Sequence, residues 1–315
     1  MMLKQGKFMK ACKGSFLKQC LKEIEKMIQS PGLWLSIGLG LVLVFSMTVY
    51  EDETGNAYNS ISILMEYSKE EISIHTNIEA EKVFSNVIKY MYSLYGTMIV
   101  ALAVAGPICQ ENKSNARRYL IFRSGKWKYC LSKTVSTMVV SAAVLVIIGI
   151  IYMIYCRVFF PNIIDTPVEN WSYWFEYQMT TKAGTKRWLF ELLGIEAYYI
   201  YQLMGLAFYG VFCGAIAFFV LSVTSNIYVA VCIPFFIGYM HYSICDTITA
   251  RFYEGDVRQE LYMAVLGYGH PNGYTYFWKM EDYLDVNTAI VVILWICAIG
   301  AHMIQIKRMK DCGVK

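Results

Sequence analysis

The segment from Gln110 to Lys133 concentrates the residues of this chain that could do chemistry: seven basic side chains, one acid and four aromatic rings within 24 residues. That chemistry is docking rather than bond making. Guanidinium groups form strong, charge-assisted hydrogen bonds with carboxylates. Between the arginines lies an apolar run, Tyr119-Leu120-Ile121-Phe122. The pattern predicts a short interfacial helix able to insert into a groove on a partner. Topology-retaining charge with a helix resting on lipid would account for the lysines, but it accounts less well for the segment's length and aromatic content.

Motifs for catalysis are absent from the sequence. No G-x-x-x-x-G-K-[ST] phosphate loop occurs, so the chain is not expected to bind ATP in the usual way, any energy must come from elsewhere, and the chain is read as a non-enzyme. There is no H-E-x-x-H, and His75, His241, His270 and His302 are scattered. His241 and His302 lie in or near apolar runs, where an ionisable group is a functional candidate by default and equally a hydrogen-bonded packing residue. Ten cysteines fall in apolar runs, at their ends or among basic segments, without metal-ligand spacing, so neither disulfides nor a metal site is expected.

The elements that must carry the basic segment are legible from charge. All Lys, Arg, Asp and Glu residues fall outside six apolar runs, at 33–50, about 91–109, 134–156, 198–222, 226–245 and 287–305. Segments 1–32, 110–133 and 306–315 hold 18 of the 28 basic residues and only 4 of the 24 acids. By the positive-inside rule these face the cytoplasm, with both termini inside. Runs of such length suit membrane spans, and a composition of 57% hydrophobic and 17% charged residues agrees. The expected fold is an all-α polytopic membrane protein with six transmembrane helices. The net charge of +4 is divided between two sides of a membrane, and no nucleic-acid partner is expected.

Three regions follow: a cytoplasmic segment 1–32, a six-span domain 33–305 and a tail 306–315. Phe16, Leu17, Cys20, Leu21, Ile24, Met27 and Ile28 recur at helical spacing among lysines, which predicts an amphipathic helix lying in the lipid interface. Ser30-Pro31-Gly32 breaks it before the first span, which is read as retained rather than cleaved. Val83, Phe84, Val87, Ile88 and Met91 predict a helix standing proud of the outer surface. Ser36 and Gly40, and Gly210 and Gly214, mark faces for close helix packing.

An elbow helix before the first span, six spans and an inner loop running from Glu111 to Lys133 together resemble a type-2 ATP-binding-cassette permease, of the bacterial peptide or antibiotic export and self-immunity kind. The resemblance implies two six-span subunits, identical or related, over separate ATPase subunits that bind ATP and magnesium. It implies a coupling loop formed by Glu111, Arg117, Arg118, Tyr119, Phe122, Arg123, Lys126, Trp127 and Lys133, with the arginines pairing with acids of the ATPase and Phe122 filling an apolar pocket. Glu111 would fix the loop to the ATPase or to the amphipathic helix. Ser114-Asn115-Ala116 and Arg123 depart from the usual Gly-Thr and Pro. Leu261 to Trp278 resembles the outer re-entrant helices in position. A bacterial plasma-membrane location and export of an amphiphilic peptide or antibiotic are the expectations. A non-transporting sensor or assembly subunit, and a permease for an ion or lipid-linked glycan, are the alternatives.

Overall fold

The computed structural model describes residues 16–51, 55–68, 71–72, 78–91, 95–114, 116–162, 193, 195–251 and 280–311. These residues form a predominantly helical assembly. Helix α1 (Phe16–Ile28) meets α2 (Pro31–Ser46) at an elbow of 59°. Ser30 makes the joint. Its backbone is extended, its Oγ accepts from the Leu33 amide at 3.4 Å, and Pro31 opens the next helix where a missing N–H costs nothing. The Trp34 indole donates to the Ile28 carbonyl at 3.0 Å, satisfying an acceptor left open at the end of α1.

The first apolar helix, expected to reach Tyr50, stops at Ser46. Thr48–Glu51 (β1) instead pairs antiparallel with Ala57–Asn59 (β2), so the all-α expectation is corrected by a small hairpin. Thr48, Val49 and Tyr50 are residue types that favour extended backbone. Asn59 Oδ1 then accepts from the amides of Ile61 and Ser62 at 3.0 and 2.8 Å, starting the short helix α3 (Ser62–Glu66).

Helix α4 (Ala80–Tyr90) carries the outer stripe, and Val83, Phe84, Val87, Ile88 and Met91 are all buried. Phe84 stacks on Tyr152 at 6.2 Å and meets Tyr199 edge-on at 5.4 Å. The helix at the position of the second expected span is α5 (Gly96–Lys113). There follow α6 (Ala116–Ser124), α7 (Lys126–Phe159), α8 (Glu196–Val223), α9 (Ile227–Arg251) and α10 (Met280–Asp311).

Among the described residues three helices are long and apolar enough to cross a bilayer: α7, α8 and the Ala289–Lys307 part of α10. The bent α1–α2 pair would make a fourth. Helix α5, with Pro107 inside it, and α9, whose apolar stretch is Ile227–Met240, occupy the other two expected positions. Helix α7 is the longest of the described helices. Its 34 residues make about 50 Å of helix against about 30 Å of hydrocarbon, so its first turns form a stalk beyond the apolar stretch.

Helix α8 packs on α5, α7, α9 and α10. Close approach to α7 requires the absence of a side chain at Gly210: a Cβ there would lie 2.6 Å from the Ser141 carbonyl oxygen and 2.8 Å from Ala142 Cα. Gly214 faces the Ser141 side chain, Gly40 of α2 faces Ile148 of α7, and Ser36 is buried with its hydroxyl donating to the Leu33 carbonyl at 2.7 Å. The aromatic segment 163–192 and the expected re-entrant segment Leu261 to Trp278 lie outside the described residues.

Candidate functional site

Helix α1 has three faces. Cys20, Glu23 and Met27 are buried against the bundle, chiefly against α7. Phe16, Leu17, Leu21 and Ile28 are exposed and Ile24 is half-buried, so most of the apolar stripe points away from the protein. Lys18, Lys22 and Glu25 occupy the remaining exposed face. Burying Glu23 demands a cation, and two are present.

Lys133, on the second turn of α7, contacts Glu23 at 2.5 Å and Glu111 at 2.8 Å. Lys26 contacts the same two carboxylates, each at 3.1 Å. The four side chains thus close a square of alternating charge that joins α1, the end of α5 and the start of α7. Lys133 and Glu23 are almost wholly buried, Glu111 nearly so, while the Lys26 side chain is 44% exposed. Two positive and two negative charges balance, which is the condition for keeping ions out of water.

Burial alone would raise the Glu111 pKa, but Lys133 and then Lys26 outweigh it and hold the carboxyl below its ordinary range. For Lys26, burial acts downward and is overcome by Glu111 and Glu23, so its ammonium is held above the ordinary lysine value. The Tyr129 hydroxyl donates to the second oxygen of Glu111 at 3.1 Å, and the Tyr129 ring stacks on His302 of α10 at 6.0 Å.

Tyr129 leads to a second buried cluster. Arg117, the one fully buried residue of α6, donates to Asn112 Oδ1 at 3.0 Å and to Gln305 Oε1 at 2.7 Å. Its other nitrogen lies 3.1 and 3.3 Å from the two ring nitrogens of His302, which also meets the Ser222 hydroxyl at 3.2 Å. Burial lowers the Arg117 pKa, yet a guanidinium retains its proton. Helix α6 is therefore pinned at its start to α5 and α10, and through His302 to the end of α8. Below it, Leu120 and Ile121, together with Ile299 and Met303 of α10, pack against a buried cluster of Tyr129, Cys130 and Ile306.

The opposite side of α6 is open. Phe122 is 93% exposed, Tyr119 67% and Trp127 64%, with Arg118, Arg123 and Lys128 exposed beside them and Lys126 half-buried. Gly125, at φ 83° in a conformation suited to glycine, turns the chain from α6 into α7 and presents Phe122 and Trp127 on the same segment. The expectation that Arg117 reaches a partner is corrected. Adjacent helical residues point about 100° apart, so Arg118 faces outward and its neighbour inward. Lys133 likewise serves the buried square, and Glu111 is bonded to α1 through Lys26.

Sequence reasoning missed Glu23, Lys26, Tyr129 and Gln305. A usable signal existed for the first: Glu23 continues the Cys20–Met27 side of α1 at three- and four-residue spacing, placing an acid on a buried face. No family model, curated protein or solved structure matches this chain. Among the described residues no group of three or more His, Cys, Asp or Glu side chains is placed to hold a metal.

Proposed function

We propose that the chain is the membrane-spanning permease subunit of an ATP-driven exporter, with six spans, cytoplasmic termini and a second permease subunit beside it. The observation that carries this reading is the two-sidedness of α6: a helix fixed rigidly underneath by Arg117, Leu120 and Ile121, offering Tyr119, Phe122 and Trp127 among cations on its free face. Exposed aromatics flanked by arginines are the residue types that anchor protein interfaces. A face resting on lipid would not require buried hydrogen bonds to two further helices at its root.

In this reading a separate ATPase receives Phe122 in an apolar pocket and pairs acids with Arg118 and Arg123. Closure of the ATPases displaces α6, and Arg117 passes the displacement to α10 and α8. The apolar walls of the bundle suit an amphiphilic peptide or antibiotic as cargo. Self-protection of a bacterial cell against such a compound is the corresponding role.

The test is co-purification in mild detergent. An ATPase chain carrying a phosphate-binding loop is expected to accompany the wild-type protein and to be lost from the Phe122→Ala/Arg118→Glu/Arg123→Glu variant. Absence of any such ATPase from the wild-type preparation would overturn the permease reading.

A further inference from the structure

The exposed lysines of α1 form a site of their own. Lys18, Lys22 and Lys26 succeed one another at four-residue spacing, a stripe about 12 Å long on the exposed side of the helix. Glu25 is the one acid exposed beside them, and it lies 3.5 Å from the Gln29 amide. Among the described residues neither Lys18 nor Lys22 has an ion-pair partner, whereas Lys26 has two. The sequence before α1 adds Lys4, Lys7, Lys10 and Lys13 and no acid.

The neighbouring face of α1 is apolar and open, with Leu17, Leu21 and Ile28 exposed, and Trp34 marks the elbow with 62% exposure. A cationic stripe beside an apolar stripe complements one ligand class, a molecule with an anionic head and hydrocarbon tails. Juxtamembrane basic clusters attract anionic lipid with about 1 kcal/mol per lysine. A soluble phosphate would match the lysines and leave the leucines unused.

We propose that the Lys18–Lys22–Lys26 stripe binds the headgroup of an anionic phospholipid, and that this lipid competes with Glu23 and Glu111 for Lys26, so that membrane charge tunes the anchorage of the inner loop. Lys26 is the corner of the charge square that can leave. It is the half-exposed cation, and its departure would leave Lys133 alone between two buried carboxylates. The repulsion between those carboxylates then loosens the contact of α1 with the end of α5. This inference rests on a membrane location and not on the permease reading, and it stands even where no ATPase co-purifies.

Two measurements test it on the full chain. In the first, delipidated protein in detergent is offered equal phosphatidylglycerol and phosphatidylcholine of matched acyl chains, and retained lipid is counted by native mass spectrometry. The wild type is expected to prefer phosphatidylglycerol, and Lys18→Gln/Lys22→Gln to lose about fivefold of that preference per lysine. Lys18→Arg/Lys22→Arg, which keeps charge, is expected to retain it. Equal retention of the two lipids by the wild type, or an unaltered preference in the glutamine variant, would overturn the headgroup site. Displacement of the lipid by millimolar inorganic phosphate would also overturn it, in favour of a free-phosphate site. In the second measurement, amide exchange across 20–27 and 108–114 is compared in nanodiscs of the two lipids. Faster exchange in phosphatidylglycerol, abolished as a difference by Lys26→Gln, is expected. Identical exchange of the wild type in both lipids would sink the competition for Lys26.

Discussion

The two ends of α7 are built from opposite materials. At the N-terminal end, expected from the charge pattern to be the inner one, Tyr129 and Lys133 engage charged and polar partners from α1, α5 and α10 through directional contacts. At the C-terminal end, the expected outer one, Tyr152, Tyr155 and the adjoining Phe160 pack among Phe45, Phe84 and one another, with ring centroids 4.8 to 6.2 Å apart. Aromatic contacts tolerate a range of offset and tilted geometries. A square of alternating charges does not, because moving one corner exposes an uncompensated ion in a low-dielectric site. The difference teaches that the inner end is suited to move as one block, while the outer end can repack around that movement.

The strongest way to break the contrast is Lys133→Met, which leaves Glu23 and Glu111 facing each other with only half-exposed Lys26 between them. A loss of about 3–5 kcal/mol is expected, read as lowered thermal stability in detergent. Adding Glu23→Gln restores charge balance and should recover a large part of that loss. The rescue separates an electrostatic square from simple packing, since a methionine stem that merely packed badly would not be improved by a neutral amide on α1.

At the outer end the corresponding change is Tyr152→Leu. It removes a fully buried ring that touches Phe45, Phe84 and Tyr155, and a loss of about 1–3 kcal/mol is expected. Neighbouring rings can partly close the space. No single second substitution of a charged residue should rescue this variant, and the size of its deficit should change little as pH falls from 7 to about 3, roughly the interval that includes the titration of ordinary carboxylates and the onset of that of paired ones.

How much of this was legible differs between the two ends. The outer stripe of α4 announced itself through periodicity, because apolar residues recurring at helical spacing must be covered. Six apolar helical positions and the elbow were likewise readable from charge segregation and from Ser30-Pro31-Gly32. Glu111 and Lys133 could be picked out as the ends of the inner segment. Their contact with each other and with Glu23 and Lys26 could not, since 22 residues separate the first two and 85 separate Lys26 from Glu111. Ion pairing across such distances in sequence leaves no periodic trace. Arg117 and Arg118 were indistinguishable for the same reason: the type of residue is identical, and only the seating of α6 on α10 decides which one turns inward.

That seating is tested by Arg117→Met, which keeps an apolar stem and removes the hydrogen bonds to Asn112, Gln305 and His302. Left without donors, those acceptors cost about 1–3 kcal/mol. Exchange is expected to rise in both 116–124 and 299–306. Gln305→Leu, made on the other side of the joint, should raise exchange across 116–124 as well. A rise confined to the mutated element in each case would show that Arg117 is a local anchor and does not link α6 to α10.

Acid provides a smaller and reversible perturbation. Because the folded Glu111 carboxyl is held below its unfolded pKa, its contribution is fully present above the ordinary carboxylate range and is lost as pH falls through the lowered folded value. Protection of 108–114 against exchange, taken relative to the unstructured rate at each pH, should therefore fall on acidification below about pH 4. In Glu111→Gln that segment should exchange faster at neutral pH and change less with acid.

The least effect is expected at the one ion pair near the C-terminal end of α7, among the described residues, with both partners open to solvent. Arg157 and Glu196 meet at 2.6 Å, with side chains 36% and 45% exposed, and the Arg157 guanidinium also lies 5.5 Å from the Tyr199 ring centroid. Exposed pairs contribute about 0–1 kcal/mol, because water screens the attraction and both side chains must be ordered. Glu196→Gln should accordingly lower stability by less than about 1 kcal/mol, and 0.5 M salt, roughly enough to screen exposed charges, should erase most of the difference. The same salt should leave the Lys133→Met deficit nearly intact, because the square excludes solvent. A Glu196→Gln loss as large and as salt-resistant as that of Lys133→Met would mean that α7 is fastened by buried charge at both ends, and the outer end would then have no special freedom to repack.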